Sequence, residues 1–362
     1  MTVKAVAIAA GGGGDAITAA IVARKLRHRF DVAAIMSYSW DRLLIDPTPG
    51  PRSRDDFDRL AKHSPLIAEV TESARLHNAG RSTLPSLVPY LSCPLLLMDP
   101  VAGATGLAAQ FHSAAELFGA DVLVIVDVGG DILAEGHEAG LRSPLADSLT
   151  LAAAIRSEFP LHLLIAGVGL DGELTPPELC TLLRRHGSAA VAELGAADVA
   201  MVAEVWNWHP SEANGLLCVA AEGWRGEVET QRDALINITD DAAVVCEVDA
   251  FGVAAQSLAS DLSDTISLEQ VEQRIRDRRG YSDIDTERNR LSAHREQRMP
   301  TVDSIGDIDR YAHAASLRGV NALTIRRVIE LTSATGAEAG AALRDLLRRE
   351  RPSNMRPPLY LV

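Results

Sequence analysis

Residues 126–138 read VDVGGDILAEGHE and crowd Asp127, Asp131, Glu135 and Glu138 together with His137. Carboxylates this close raise one another's pKa unless a cation or hydrogen-bond donors intervene. Three uses follow: a Mg²⁺ site, recognition of sugar hydroxyls, or general acid/base work. Asp127 and Asp131 are the pair best placed for catalysis or for a metal, because Gly129 and Gly130 hold the loop tight between them. A structural alternative is that the group caps its own loop and the helix expected from Pro144.

Other stretches repeat this pairing of glycine with carboxylate. GGGGD (Gly11, Gly12, Gly13, Gly14, Asp15) precedes a helix-like run, where backbone N–H groups and the helix dipole suit a phosphate or carboxylate. Asp15 falls at the N-cap position of that helix. DPVAGATG offers Asp99, Gly103 and Thr105 to the same ligand, and GVGLDGELTPPEL offers Asp171 and Glu173 as acid/base candidates. Thr175, Pro176, Pro177 and Glu178 read as a helix start, so Glu178 is expected to be structural. EVWNWHPSEANG supplies Trp206 and Trp208, which could stack on a ring, and His209 as a candidate general base. Ser211 reads as the cap of a further helix.

These loops follow buried strands. Strands are expected over 3–9, 32–36, 94–98, 122–126 and 162–166, with a weaker one over 199–205 and a late one over 243–248. Helices fit 16–28, 107–118, 144–158 and 176–185. Apolar strands alternating with helices predict a doubly wound, mainly parallel α/β sheet of Rossmann-like type. Its ligand crevice lies along the C-terminal strand edge, where the loops above converge. After about residue 265 the texture becomes charged and helical, with helices expected over 267–279, 285–298, 308–317 and 337–349. The expected organisation is therefore a ligand-binding or catalytic domain over 1–265 and a helical extension over 266–362. Asp283 and Asp307 read as caps of following helices. Ala312, Leu317, Val320 and Leu323 form an apolar stripe that must cover a sheet edge or another subunit, so a homodimer is the expected assembly. Residues 46–58, DPTPGPRSRDDFD, read as a long ordered loop or lid.

Composition narrows the partners. The chain has 362 residues, 47% hydrophobic and 23% charged, with a net charge of −14. That field disfavours nucleic acid and anionic membranes and leaves a small anionic substrate open. No apolar run approaches the roughly 18 residues of a membrane span. The N-terminus reads as a first strand rather than a signal peptide. Four scattered cysteines suit a cytoplasmic protein and no structural zinc.

The P-loop pattern, the nucleophile elbow and H-E-x-x-H are all missing from the sequence. Gly11, Gly13 and Ala16 satisfy the loose dinucleotide fingerprint, yet no acid follows the second strand until Asp41. The chain resembles a prokaryotic family of unknown function. The resemblance rests on GGGGD, DPTPGPR (46–52), DVGGD followed by SPLADSL (127–149), and DGEL (171–174). It covers roughly residues 1–280 and implies an α/β fold, with no established activity. The expected function is an enzyme acting on a phosphorylated or ribosylated small molecule, a nucleotide or sugar phosphate, by group transfer or hydrolysis. Alternatives are an NAD(P)-dependent oxidoreductase and a non-catalytic nucleotide sensor.

Overall fold

A computed structural model describes residues 2–293 and 297–362 of the chain. Its large sheet is built on strands β1 (Val3–Gly12), β2 (Phe30–Tyr38), β3 (Ala61–Lys62), β4 (Ala68–Glu69), β5 (Leu95–Met98), β6 (Val122–Val128), β7 (Leu161–Ala166) and β8 (Ala189–Glu193). A second sheet starts with β9 (Gly226–Glu229) and β10 (Leu235–Ile238) before β11 (Val244–Val248) returns to the first. The strands β12 (Ala322–Thr324), β13 (Met355–Arg356) and β14 (Leu359–Leu361) complete the second sheet.

Among the described residues the large sheet has nine strands in the order β8-β11-β7-β6-β1-β2-β5-β4-β3. The centre is parallel, from β7 through β6, β1 and β2 to β5, and both margins are antiparallel. The protein is thus α/β with a mixed sheet, and the strand order reverses between β1 and β6.

Alternation along β1 shows how the sheet is buried. Ala5, Ala7 and Ala9 enter one core with α1 (Asp15–Lys25), while Val6, Ile8 and Ala10 enter another with α2 (Gly103–Phe118) and α3 (Leu145–Arg156). Helix α4 (Pro176–Arg185) adds Leu179 and Leu182 to the second core, and α5 (Glu212–Ala221) closes the first. Small alanines on β1 let these helices approach closely. Helix α4 begins as its sequence requires, with Thr175 and Glu178 in a capping box on either side of Pro176 and Pro177.

One sequence expectation fails here, and another holds with a different strand direction. Residues 199–205 form no strand: the backbone is helical over Ala196–Val199 and Ala200–Asn207. Val199, Val202 and Val205 are the buried positions, and that three-residue spacing is helical rather than alternating. The expected 243–248 strand exists as β11 but runs antiparallel to β7.

The C-terminal region also differs from a purely helical extension. Helices α6 (Leu268–Arg279), α7 (Asp283–Ser292), α8 (Val302–Leu317), α9 (Ile325–Leu331) and α10 (Ala337–Glu350) are present. The expected 285–298 helix ends at Ser292, and residues 294–296 lie outside the described residues. Between and after these helices β12, β13 and β14 join β9 and β10 in a five-stranded sheet of order β10-β9-β12-β14-β13. A division at residue 265 therefore cuts through one sheet. Ala322 and Leu359 face the first core, whereas Leu323 and Tyr360 face a third core with α8, α9 and α10. Of the expected apolar stripe, Ala312, Val320 and Leu323 are buried in this third core and Leu317 is exposed. Among the described residues no helix is long and apolar enough to cross a membrane.

Candidate functional site

The adjacent C-terminal ends of β1, β6 and β7 share one pocket of about 180 Å³. The glycine run forms one wall. β1 continues to Gly12, and α1 starts at Asp15 after Gly13 and Gly14. None of the four glycines needs a left-handed backbone. They are needed because protein atoms crowd them: a Cβ on Gly12 would meet the Trp40 carbonyl oxygen at 2.7 Å, and one on Gly14 would meet Ser211 at 2.7 Å. Asp15 is not the N-cap of α1, a place taken by Gly14. Its carboxylate turns back, accepting the Gly11 N–H at 2.8 Å and the Asn214 side-chain amide at 2.9 Å. Asn214 is fixed in turn by the Thr18 hydroxyl at 2.6 Å.

The second wall is carboxylate: Asp131, Asp147, Asp171 and Glu173 line it, and Asp127 lies buried beside Asp131 and Asp147 without lining the pocket itself. Asp127 leaves the end of β6, and Asp131 follows Gly129 and Gly130, both left-handed with φ of 110° and 106°. Asp147 joins them from the first turn of α3. Asp127, Asp131 and Asp147 are buried and bring one oxygen each to within 4.8 Å of one another. Among the described residues neither oxygen of Asp127 has a hydrogen-bond partner within normal limits. The nearby Val128 and Gly130 amides offset its burial only in part. Burial is the first cause that pushes all three carboxyls well above the ordinary range. Repulsion adds to it, from Asp15 and Asp171 on Asp127, and from Asp147 and Glu173 on Asp131. Burial likewise lifts Asp15 to about 6, opposed by Asn214 and Gly11.

Asp171 and Glu173 reach the pocket from the loop after β7. Both are engaged by backbone. Asp171 accepts the Asp131 N–H at 3.2 Å and the Glu173 N–H at 2.8 Å. A Cβ on Gly129 would lie 2.1 Å from an Asp171 oxygen, which is why a glycine stands there. Burial, then Glu173, raise Asp171 to about 7. Glu173 accepts the Arg142 and Ser143 N–H groups at 2.6 and 2.9 Å and the Ser143 hydroxyl at 2.6 Å, clamping the approach to α3. Asp171 thus positions the Asp131 loop, and Glu173 the segment leading into the helix that carries Asp147.

His209 lines the pocket, but not as a general base. Its Nδ1 accepts the Ser211 N–H at 3.2 Å, which assigns the proton to Nε2, and that atom has no acceptor among the described residues. Burial and the neighbouring Arg344 and Arg326 lower its pKa to about 3, so it is a neutral donor. Trp206 is buried in the first core, and Trp208 is half-buried outside this pocket.

The structure does not bring Asp99, Gly103 and Thr105 to the site. Asp99 caps its own turn through the Val101 N–H at 3.1 Å and pairs with Arg54 at 3.1 Å. Gly103 and Thr105 pack on the Thr265 backbone instead. Glu135 pairs with Arg185, and Glu138 accepts the Glu135 and Gly136 N–H groups. Asp283 caps α3 rather than its own helix, accepting the Leu145 N–H at 2.9 Å, while Ser282 caps α7.

Sequence reading missed Asp147, Arg42 and Arg326, all of which line the pocket. SPLADSL held the signal for Asp147: an acid in the first turn of a helix whose residues 145–154 are all buried. Arg42 is held at positive φ (57°) with its guanidinium 3.8 Å from the Trp40 ring. The following 46–58 loop is an anchored structure, tied by a buried Asp46–Arg52 pair at 2.6 Å and by Glu287, which accepts the Gly50 N–H at 2.8 Å.

Residues 6–291 match the family described as "Protein of unknown function (DUF1152)". The chain belongs to this family. No curated protein and no solved structure matches the chain. The DUF1152 match spans the glycine run, every pocket carboxylate and Arg42, while Arg326 comes from beyond it.

Proposed function

We propose that this DUF1152 protein is an enzyme for a phosphorylated or ribosylated small molecule, a nucleotide or sugar phosphate, acting by group transfer or hydrolysis. The observation that carries the reading is Asp127: a buried carboxylate whose two oxygens have no hydrogen-bond partner among the described residues, grouped with two other buried aspartates. Three hard oxygen donors at this spacing fit Mg²⁺ or a similar divalent ion. Such an ion would relieve their repulsion and supply charge to a bound phosphate. Read as doubly wound, the sheet has its switch point between β1 and β6, where ligands of open α/β sheets bind.

The chain's own groups divide the work. The first turn of α1 leaves N–H groups without intrahelical partners, and these, with Arg42 and Arg326, suit the anion. The neutral His209 Nε2–H suits a substrate oxygen. Asp171, raised to about 7, is poised to exchange a proton near neutral pH. The nicotinamide alternative needs an acid with free oxygens after β2. The first acid there, Asp41, has both oxygens engaged by the Thr83 N–H and hydroxyl.

The test is turnover of a panel of nucleoside phosphates, sugar phosphates and NAD with Mg²⁺, followed by mass spectrometry. A hydrolysed or transferred product, reduced at least about 100-fold in Asp127→Asn, is expected. Hydride transfer to or from NAD, or stabilisation by ligands without turnover of any, would overturn the reading.

A further inference from the structure

A second cavity, of about 320 Å³, lies on the other side of Pro210, the one residue lining both pockets. Its lining includes the start of α10, through Gly336, Ala337, Gly340 and Ala341, with the Gln297 side chain packed against Gly336. The first turn holds N–H groups without intrahelical partners at the positive end of a 14-residue helix. Arg344 enters from the next turn. It is only 7% exposed, and its Nε has no partner among the described residues. Its hydrogen bond among the described residues, at 3.3 Å, goes to the Gly340 carbonyl of its own helix. Among the described residues no carboxylate pairs with it. Burial, then Arg348, lower its pKa to about 10, which leaves it charged at neutral pH.

A buried, unpaired guanidinium is costly unless an anion completes it. Arg81 lines the same cavity and adds positive charge, whereas Arg348 is paired. The Asp345 carboxylate also lines it, but is committed to Arg348 at 2.7 Å. Opposite charge alone would suit any anion. The remaining wall is apolar, with Trp208, Leu44 and Ile329, which suits a flat ring. The volume falls within the range of small-ligand sites.

We infer that this cavity binds a phosphomonoester carried on a flat ring, as in a nucleoside monophosphate, with the phosphate on Arg344 and the α10 N-terminus and the ring against Trp208. The site is separate from the carboxylate pocket and does not rest on its reading. Their shared wall at 208–210 places the two ligands side by side, as a second substrate or an effector would sit.

The experiment is calorimetric titration of the full chain, in EDTA, with AMP and separately with inorganic phosphate. AMP is expected to bind at one site and phosphate more weakly at the same site. Arg344→Met and Ala341→Phe, which fills the cavity from an exposed position, each weaken AMP at least ten-fold, and Asp127→Asn leaves it unchanged. Without ligand, Arg344→Met melts no lower than the wild type, because it removes an unpaired buried charge. Should Arg344→Met fail to fold, Arg344 is a structural residue and the inference falls. Absence of binding at millimolar AMP, full affinity in Ala341→Phe, or loss in Asp127→Asn with retention in Arg344→Met would each overturn it.

Discussion

Asp127, Asp131 and Asp147 bind protons more tightly in the folded chain than in the unfolded one, because burial and mutual repulsion disfavour their charged forms. The consequence for stability has a definite sign. The contribution is full below the unfolded carboxylate pKa of about 4 and is lost as pH rises through the folded values. The neighbouring Asp15, raised to about 6, and Asp171, raised to about 7, add to the effect with the same sign. The metal-free protein is therefore expected to melt at progressively lower temperature from pH 5 to pH 8. Asp147→Asn, with one carboxylate fewer in the cluster, should make that decline shallower. Calorimetry in EDTA across this range checks both; an equal slope in the variant would mean that Asp147 is uncoupled from the others. Asp127 and Asp131 were legible in the sequence because two glycines separate them in one loop. Asp147 was not, because it sits in a helical stretch and reaches the pair only through the packing of α3. Asp99, Gly103 and Thr105 illustrate the converse: glycine and carboxylate at a strand end also serve to turn the chain.

At the scale of elements, the parallel strands were legible from their apolar runs, which have no polar face to confuse the period. The C-terminal strands were not, since β12, β13 and β14 are two or three residues long and show no alternation. The four glycines have a packing role that sequence alone assigned to the ligand. Gly12→Ala should lower stability by about 1–3 kcal/mol through overpacking against Trp40, with or without ligand, as measured by urea unfolding. An unperturbed midpoint would return the glycine to a purely ligand-facing role. The second sheet is held to α9 by charge as well as by its core. Glu229 on β9 is buried and accepts from Arg327 at 2.9 Å and Arg318 at 2.7 Å, and from the Tyr311 hydroxyl. Glu229→Ala leaves the buried Arg327 without that partner and should cost about 3–5 kcal/mol. A loss below about 1 kcal/mol, the scale of an exposed pair, would show that Asp233 and Glu330 suffice.

The chain is expected to fold as one unit, because β9 and β10 cannot complete their sheet without β12 and β14. A chain ending at residue 265 is expected to aggregate whatever the oligomeric state of the full protein, since Val228 and its neighbours lose their cover. A soluble, cooperatively melting truncation would contradict this. The carboxylate pocket is likewise a property of the whole molecule, lined from Gly11 to Arg326. Cation binding there should therefore register in global unfolding, by about 2.7 kcal/mol when the ion is at 100 times its Kd. The most direct measurement is calorimetric titration of the EDTA-treated full chain with Mg²⁺ and Mn²⁺ at pH 7.5, paired with its thermal unfolding. Saturable binding that raises the melting temperature, and that disappears in Asp127→Asn, is the predicted result. No binding at millimolar ion, or equal binding by Asp127→Asn, would contradict the assignment of the three aspartates to a divalent cation.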